Sequence, residues 1–61
     1  MITIYTNTKT EDGDPVEFDV DDSRYHWGME ELYVWFHRPV GEGHTEKIII
    51  PWTSIDYMVE A

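Results

Sequence analysis

The chain has no cysteine among its 61 residues, and this absence removes two common ways of stabilising a small domain. A disulfide and a thiolate zinc site both require cysteine. A chain of this length also buries only about 60% of the surface that it exposes when unfolded. We therefore expect one domain, residues 1–61, held together by tight aromatic packing or by self-association.

Basic residues are scarce as well, since four Lys and Arg stand against 13 Asp and Glu, for a formal net charge of −9. Such a charge repels phosphate backbones and anionic membrane surfaces. No run approaches the ~18 apolar residues of a membrane-spanning helix, and the N-terminus lacks the pattern of a signal peptide. The sequence predicts a cytoplasmic protein that does not bind nucleic acid or membranes directly.

Motifs typical of catalysis are also missing. The chain has no G-x-S-x-G elbow and no glycine-rich phosphate loop. Its two serines, Ser23 and Ser54, stand where capping or turn residues are expected. A 61-residue domain has little room for a water-excluding pocket of ~300 Å³. We expect a protein that is not an enzyme, with no catalytic residue and no cofactor.

Aromatic side chains, in contrast, are abundant. They are Tyr5, Phe18, Tyr25, Trp27, Tyr33, Trp35, Phe36, Trp52 and Tyr57. Each can bury on the order of 150 to 250 Å², so we expect several of them on the surface or in a subunit contact. Our candidates for binding a partner or a second copy are Trp27, Tyr33, Trp35 and Trp52. Packing inside the core or between subunits is the alternative role.

Alternating apolar and polar residues predict two half-buried strands near the N-terminus, over residues 1–6 and 15–20. In the second strand the apolar side chains point inward, and Glu17 and Asp19 point outward. Residues 7–14 contain no apolar residue, which predicts a loop that turns at its Asp-Gly pair.

The middle of the chain predicts one helical turn and one hairpin. Residues 21–28 begin with capping residues and end with glycine, which indicates a helical or 3₁₀ turn. Residues 31–37 are continuously apolar and aromatic, which favours a strand, although residues 29–32 alone could begin a helix. One proline and two glycines in residues 38–44 predict that the flanking strands fold back on each other.

A four-residue loop at residues 40–43 would pair residues whose numbers sum to 83. Trp35 would then oppose Ile48 on one face of the hairpin, and Val34 would oppose Ile49 on the other. Both faces are apolar. We therefore expect either that the sheet curls into a barrel or that a second copy covers its outer face.

The densest apolar run is residues 48–58. Three isoleucines that end at Pro51 indicate a buried strand, because β-branched residues suit a sheet and proline cannot continue the ladder. Residues 52–55 predict a tight turn. The final residues, 56–59, fit either helical or strand spacing, and we predict a strand.

This end of the chain, I-P-W-x-x-I-x-Y, resembles the closing strands of SH3-like and Sm-like barrels. It is also similar to small accessory proteins of bacterial viruses. The resemblance implies a mainly β fold, either a small SH3-like barrel or a strongly bent antiparallel sheet of about five strands with one short helical turn. It further implies a phage-encoded protein in the host cytoplasm, and it transfers no binding or catalytic residue.

Seven acidic residues and no base lie between Glu11 and Asp22. The spacing Asp12-x-Asp14 begins like a calcium loop, but Val16 and Glu17 break that pattern. We expect instead an acidic stripe roughly 20 to 30 Å long that imitates a run of phosphates and occupies a basic groove on a partner. The candidate residues are Asp12, Asp14, Glu17, Asp19, Asp21 and Asp22. The alternative is that these acids only keep the protein soluble and protect strand edges.

The three histidines, His26, His37 and His44, lack the short spacing of a zinc site. We expect ordinary surface histidines and no metal, with His37 opposite Glu46. The leading functional hypothesis is a small, acidic, non-enzymatic module that binds a host protein through an acidic and aromatic surface. The alternative is a homo-oligomeric structural or assembly protein whose exposed strand edge pairs with copies of itself.

Overall fold

The computed structural model describes all 61 residues as six antiparallel strands and one 3₁₀ turn. The elements are β1 (Ile2–Lys9), β2 (Pro15–Val20), β3 (Trp27–Met29), β4 (Tyr33–Gly41), β5 (His44–Pro51), the 3₁₀ turn (Trp52–Ser54) and β6 (Ile55–Glu60). Strands β2, β1 and β6 form sheet A in that order, and β3, β4 and β5 form sheet B. The prediction of a mainly β protein is confirmed, with two packed sheets that do not close into a barrel.

Strand β1 is the centre of sheet A and pairs with both β2 and β6. The predicted alternation of buried and more exposed side chains is present, because Ile2, Ile4 and Thr6 are buried. The strand runs to Lys9, further than predicted, since the polar residues continue the pairing as far as Lys9 opposite Pro15. The buried Thr6 hydroxyl donates to a backbone carbonyl oxygen of β2 at 2.7 Å, so this polar group is satisfied.

The first turn and β2 follow the sequence closely. Strand β2 has the predicted bounds, Pro15–Val20, and turns Val20 into the core. The turn lies at the predicted Asp-Gly pair, where Gly13 has φ of 86° and donates its N–H to the Thr10 carbonyl oxygen at 3.0 Å. Glycine suits this position because it adopts positive φ without steric cost.

The single turn predicted for residues 21–28 forms only over residues 21–25, and the last two residues of that span, Trp27 and Gly28, belong to a strand instead. The Arg24 and Tyr25 N–H groups donate to the Asp21 carbonyl oxygen at 3.3 and 3.1 Å, which makes one isolated turn. Strand β3 then begins at Trp27, which pairs with Phe36 of β4. A strand prevails here because it packs Trp27 against the core while leaving its backbone hydrogen-bonded to β4.

The β4–β5 hairpin forms as predicted, but its register differs by one residue. The turn has two residues, Glu42 and Gly43, and Gly43 has φ of 69°. Trp35 therefore pairs with Ile49 rather than with Ile48. The predicted four-residue loop is wrong because a glycine at positive φ allows a tighter turn, and an irregularity between Pro39 and Gly41 takes up the extra residue.

The true register sorts the apolar side chains of sheet B by face. Its inner face carries Val34, Phe36 and Ile50, all buried, and its outer face carries Tyr33, Trp35 and Ile49. Six apolar side chains make up the buried core: Ile2, Ile4, Val20, Val34, Phe36 and Ile50. No tryptophan is among them. The rings of Phe18 and Phe36 lie 6.0 Å apart and join the two sheets.

The C-terminal segment is a strand, as predicted. The 3₁₀ turn that precedes it is held to the β3–β4 connection by two bonds of Trp52, whose backbone N–H donates to the Leu32 carbonyl oxygen (3.1 Å) and whose Nε1 donates to the Glu30 carbonyl oxygen (2.8 Å). Strand β6 then pairs with β1, and Met58 packs against the core. The turn thus returns the chain from sheet B to sheet A.

Truncation of Phe36 tests the importance of the core. Phe36 has 0% exposure, and removal of a buried Phe side chain costs about 3 to 5 kcal/mol, whereas a chain of this length has about 3 to 9 kcal/mol in total. We expect Phe36→Ala to leave the protein largely unfolded and Ile49→Ala, at a position 55% exposed, to unfold near the wild-type urea midpoint. Similar midpoints for the two variants would contradict this core.

Replacement of Gly28 tests the packing on the outer face of sheet B. A Cβ at this position would lie 2.8 Å from the Trp35 ring. We expect Gly28→Ala to lower the free energy of unfolding by about 1 to 3 kcal/mol and to shift tryptophan fluorescence, because the indole must move. Gly41→Ala is the control, since a Cβ there meets no atom within 4 Å. Equal effects of the two substitutions would show that Trp35 does not lie across Gly28.

Candidate protein-interaction surface

The acidic residues singled out from the sequence lie along one free strand edge and its two turns. We define them as the acidic edge: Asp12, Asp14, Glu17, Asp19, Asp21 and Asp22. Strand β2 is the outermost strand of sheet A, so one of its sides pairs with no other strand. Glu17 and Asp19 are exposed on its outer face, and Asp12 and Asp14 are exposed in the preceding turn.

The remaining two acids, Asp21 and Asp22, are half-buried and have structural partners. The Ser23 hydroxyl donates to Asp21 Oδ1 at 2.8 Å, and Arg24 Nε lies 3.7 Å from the other Asp21 oxygen. Asp22 pairs with the N-terminal ammonium of Met1 at 3.1 Å. The free negative charge of the acidic edge is therefore concentrated at the other four carboxylates.

Three of the four basic side chains have partners other than Glu17 and Asp19. Arg24 contacts Asp21, Arg38 pairs with Glu46 at 2.6 Å, and the Lys47 ammonium lies 4.8 Å from the centre of the Trp35 ring. The fourth, Lys9, forms no ion pair. Glu17 and Asp19 thus face solvent without a basic partner, and Asp19 accepts only the Thr3 hydroxyl, at 3.1 Å.

The outer face of sheet A places tyrosines directly beside these carboxylates. We define its six side chains as the tyrosine face: Thr3, Tyr5, Glu17, Asp19, Tyr57 and Val59. Tyr5 lies between Glu17 and Tyr57 in the strand register, and Thr3 lies between Asp19 and Val59. The two tyrosine rings stack with centroids 4.6 Å apart and an interplanar angle of 19°. Tyr57 remains 54% exposed.

The aromatic residues singled out from the sequence do not form one surface. Trp27 and Trp52 pack on the rim of the core. Tyr33 and Trp35 lie on the outer face of sheet B, where Trp35 Nε1 donates to Glu30 Oε1 at 3.2 Å. None of the four lies on the outer face of sheet A. The aromatic pair beside the acids consists of the half-buried Tyr5 and the exposed Tyr57. The two residues come from the first and last strands, and sequence reasoning missed the pair.

The histidines do not assemble a metal site. His26 and His37 are neighbours with ring centroids 6.2 Å apart, and His37 pairs with Lys47 rather than with Glu46 as expected. The one-residue change in hairpin register explains this correction. No group of three or more His, Asp or Glu side chains is placed to hold a metal ion, and no pocket opens in the surface. The fold has no helix with the length and apolar character needed to cross a membrane.

Comparison with protein-family models, with curated proteins and with solved structures finds no match to this chain. The resemblance of residues 50–57 to SH3-like and Sm-like barrels therefore stays a prediction.

A local hydrogen bond lowers the pKa of the Asp21 carboxyl, and a titration can measure this effect. The Ser23 hydroxyl is the main cause that lowers the pKa of the Asp21 carboxyl below its ordinary value of 3.8, with Arg24 adding a smaller attraction. Because the pKa is lower in the folded state, the stabilisation is present above pH 3.8 and is lost as pH falls through the folded value. We expect an NMR titration to place the Asp21 pKa below 3.8 in the wild type and closer to 3.8 in Ser23→Ala.

The matched control is Ser54→Ala, which lies in the 3₁₀ turn and should leave the Asp21 titration unchanged. An Asp21 titration that is the same in the wild type and in Ser23→Ala would show that the hydroxyl does not bind the carboxylate in solution.

Proposed function

We propose that this protein is a non-enzymatic binding module that engages a basic surface of another protein through the tyrosine face and the acidic edge. The observation that carries the proposal is the placement of two exposed, unpaired carboxylates, Glu17 and Asp19, beside the stacked Tyr5–Tyr57 pair. A flat array of this kind offers contact area and charge to a macromolecule rather than an enclosed cavity to a small substrate.

The carboxylates and the tyrosine rings both attract cationic side chains, by different interactions. Carboxylates attract and accept hydrogen bonds from guanidinium and ammonium groups. Tyrosine rings attract the same cations to their faces and supply a large apolar contact. An arginine or lysine side chain that crosses from β2 towards β6 would therefore meet a carboxylate first and an aromatic surface next. Basic segments with several such residues fit this face best.

Net charge supports the same partner at longer range. With a formal charge of −9, the protein attracts basic proteins and increases the rate of productive encounters at low salt. Carboxylates spaced along a strand edge imitate a run of phosphates, so the partner class that we propose is a protein with a basic groove suited to nucleic acid. The resemblance to small accessory proteins of bacterial viruses suggests a host protein as this partner, met in the host cytoplasm.

A basic peptide provides a defined probe of the proposal. We expect a lysine- and arginine-rich synthetic peptide to bind the wild type with an affinity that falls as salt rises. The double variant Glu17→Gln/Asp19→Asn should weaken binding about tenfold, since two contacts of about 0.7 kcal/mol each together approach 1.4 kcal/mol. Tyr57→Ala should weaken it further. Isothermal titration calorimetry measures each affinity.

The matched control is Glu42→Gln/Glu60→Gln, which removes the same charge from exposed positions outside the tyrosine face. If the two double variants weaken binding equally, net charge alone explains the attraction and the proposed face is wrong. In a host lysate, a genuine partner is one that both the wild type and the control variant retain at low salt, and that Glu17→Gln/Asp19→Asn does not.

A further inference from the structure

Strand β5 leaves an unpaired edge on the other sheet. It pairs with β4 on one side only, and at eight residues, His44–Pro51, it is the longest of the four edge strands. An edge of this length exposes a row of backbone N–H and C=O groups that another strand can bind. The edge lies in sheet B, apart from the acidic edge in sheet A.

Partly exposed apolar side chains lie beside these backbone groups on both faces of the strand. On the inner face, Ile48 is only half-buried, although its cross-strand partner Phe36 is fully enclosed. On the outer face, Ile49 is 55% exposed beside its partner Trp35. The core is therefore incomplete along β5, and an added strand would cover both isoleucines.

The charged side chains of β5 indicate which class of partner can pair with this edge. The charged side chains of β5 are Glu46 and Lys47, which cancel each other. Glu46 is also bonded to Arg38, and the Lys47 ammonium lies over Trp35. In a molecule of charge −9 this is a locally neutral strand, so a strongly basic or acidic partner gains little here. A second copy presents the same neutral, isoleucine-rich edge and keeps its acidic edge on the other sheet.

We propose that β5 pairs antiparallel with β5 of a second copy, around a twofold axis at Ile48, to form one six-stranded sheet. Such an axis keeps each face of the sheet on its own side, so inward residues oppose inward residues. Axes at Glu46 or Lys47 would place like charges opposite each other. An axis at Ile48 opposes Ile48 to itself and Lys47 to Ile49.

This axis also makes the longest favourable pairing. It aligns Thr45 through Pro51 of both copies, whereas an axis at Ile49 aligns only Lys47 through Pro51 because the strand ends there. The tyrosine face and the acidic edge stay exposed on both subunits. The dimer is therefore independent of the proposed function and would present two acidic surfaces to a partner.

Sedimentation velocity from micromolar to submillimolar concentration tests the proposal. We expect the wild type to dimerise with rising concentration. Ile49→Lys should weaken dimerisation at least tenfold relative to Val40→Lys, because it sets a lysine opposite Lys47 of the second copy. Val40 is the matched control, being equally exposed at 55% in β4.

Ile49→Glu separates this register from a general effect of charge. We expect it to weaken the dimer less than Ile49→Lys, because the glutamate faces Lys47 of the second copy. Net charge alone gives the opposite order, since a lysine reduces the −9 charge and a glutamate increases it. Because the chain has no cysteine, a single introduced cysteine can test the position of the twofold axis. Under a mild oxidant, we expect Ile48→Cys to form a disulfide-linked dimer faster than Val40→Cys.

Three results would overturn the inference. A wild type that remains a monomer at every concentration excludes the dimer. A dimer that Ile49→Lys and Val40→Lys affect equally uses another surface. A dimer weakened as much by Ile49→Glu as by Ile49→Lys does not have the proposed register.

Discussion

Packing of Phe36 between the two sheets is the interaction on which the rest of the structure depends. Its fully enclosed ring lies on β4 and faces Phe18 of β2 across the core. Only five other apolar side chains are buried with it, because a short chain has too much surface for its volume. The remaining aromatic residues must therefore sit on the rim or on the outer faces, where they are available for contacts.

Because the core is small, aromatic and apolar side chains remain on the outside of both sheets, and the two outer surfaces differ. Sheet A shows stacked tyrosines next to carboxylates that no base neutralises. Sheet B shows the half-buried Trp35, which has Gly28, Glu30 and Lys47 as neighbours, and a neutral isoleucine edge at β5. We propose that the first surface binds a basic protein and that the second binds another copy of the chain. The two surfaces involve different strands, so one can change without the other.

Much of the fold is visible in the sequence where the signal is local. Strand β2 has the predicted bounds because its alternation is regular, and the acidic edge was found because its members are neighbours along the chain. Strand β3 was missed since three residues are too few to show a period. The predicted hairpin register is wrong because the register depends on whether the turn has two or four residues. A glycine at positive φ decides this turn length. The Tyr5–Tyr57 stack joins the two ends of the chain, and no local pattern reveals such a pairing.

Mapping by NMR tests most directly whether the outer face of sheet A is a recognition surface for basic groups. Backbone amide shifts of the labelled protein would be followed while a lysine- and arginine-rich peptide is added at low salt. We expect the largest changes at Thr3, Tyr5, Glu17, Asp19 and Tyr57, with little change at Trp35 and Ile49. Changes spread evenly over all acidic residues, or centred on sheet B, would contradict this recognition surface.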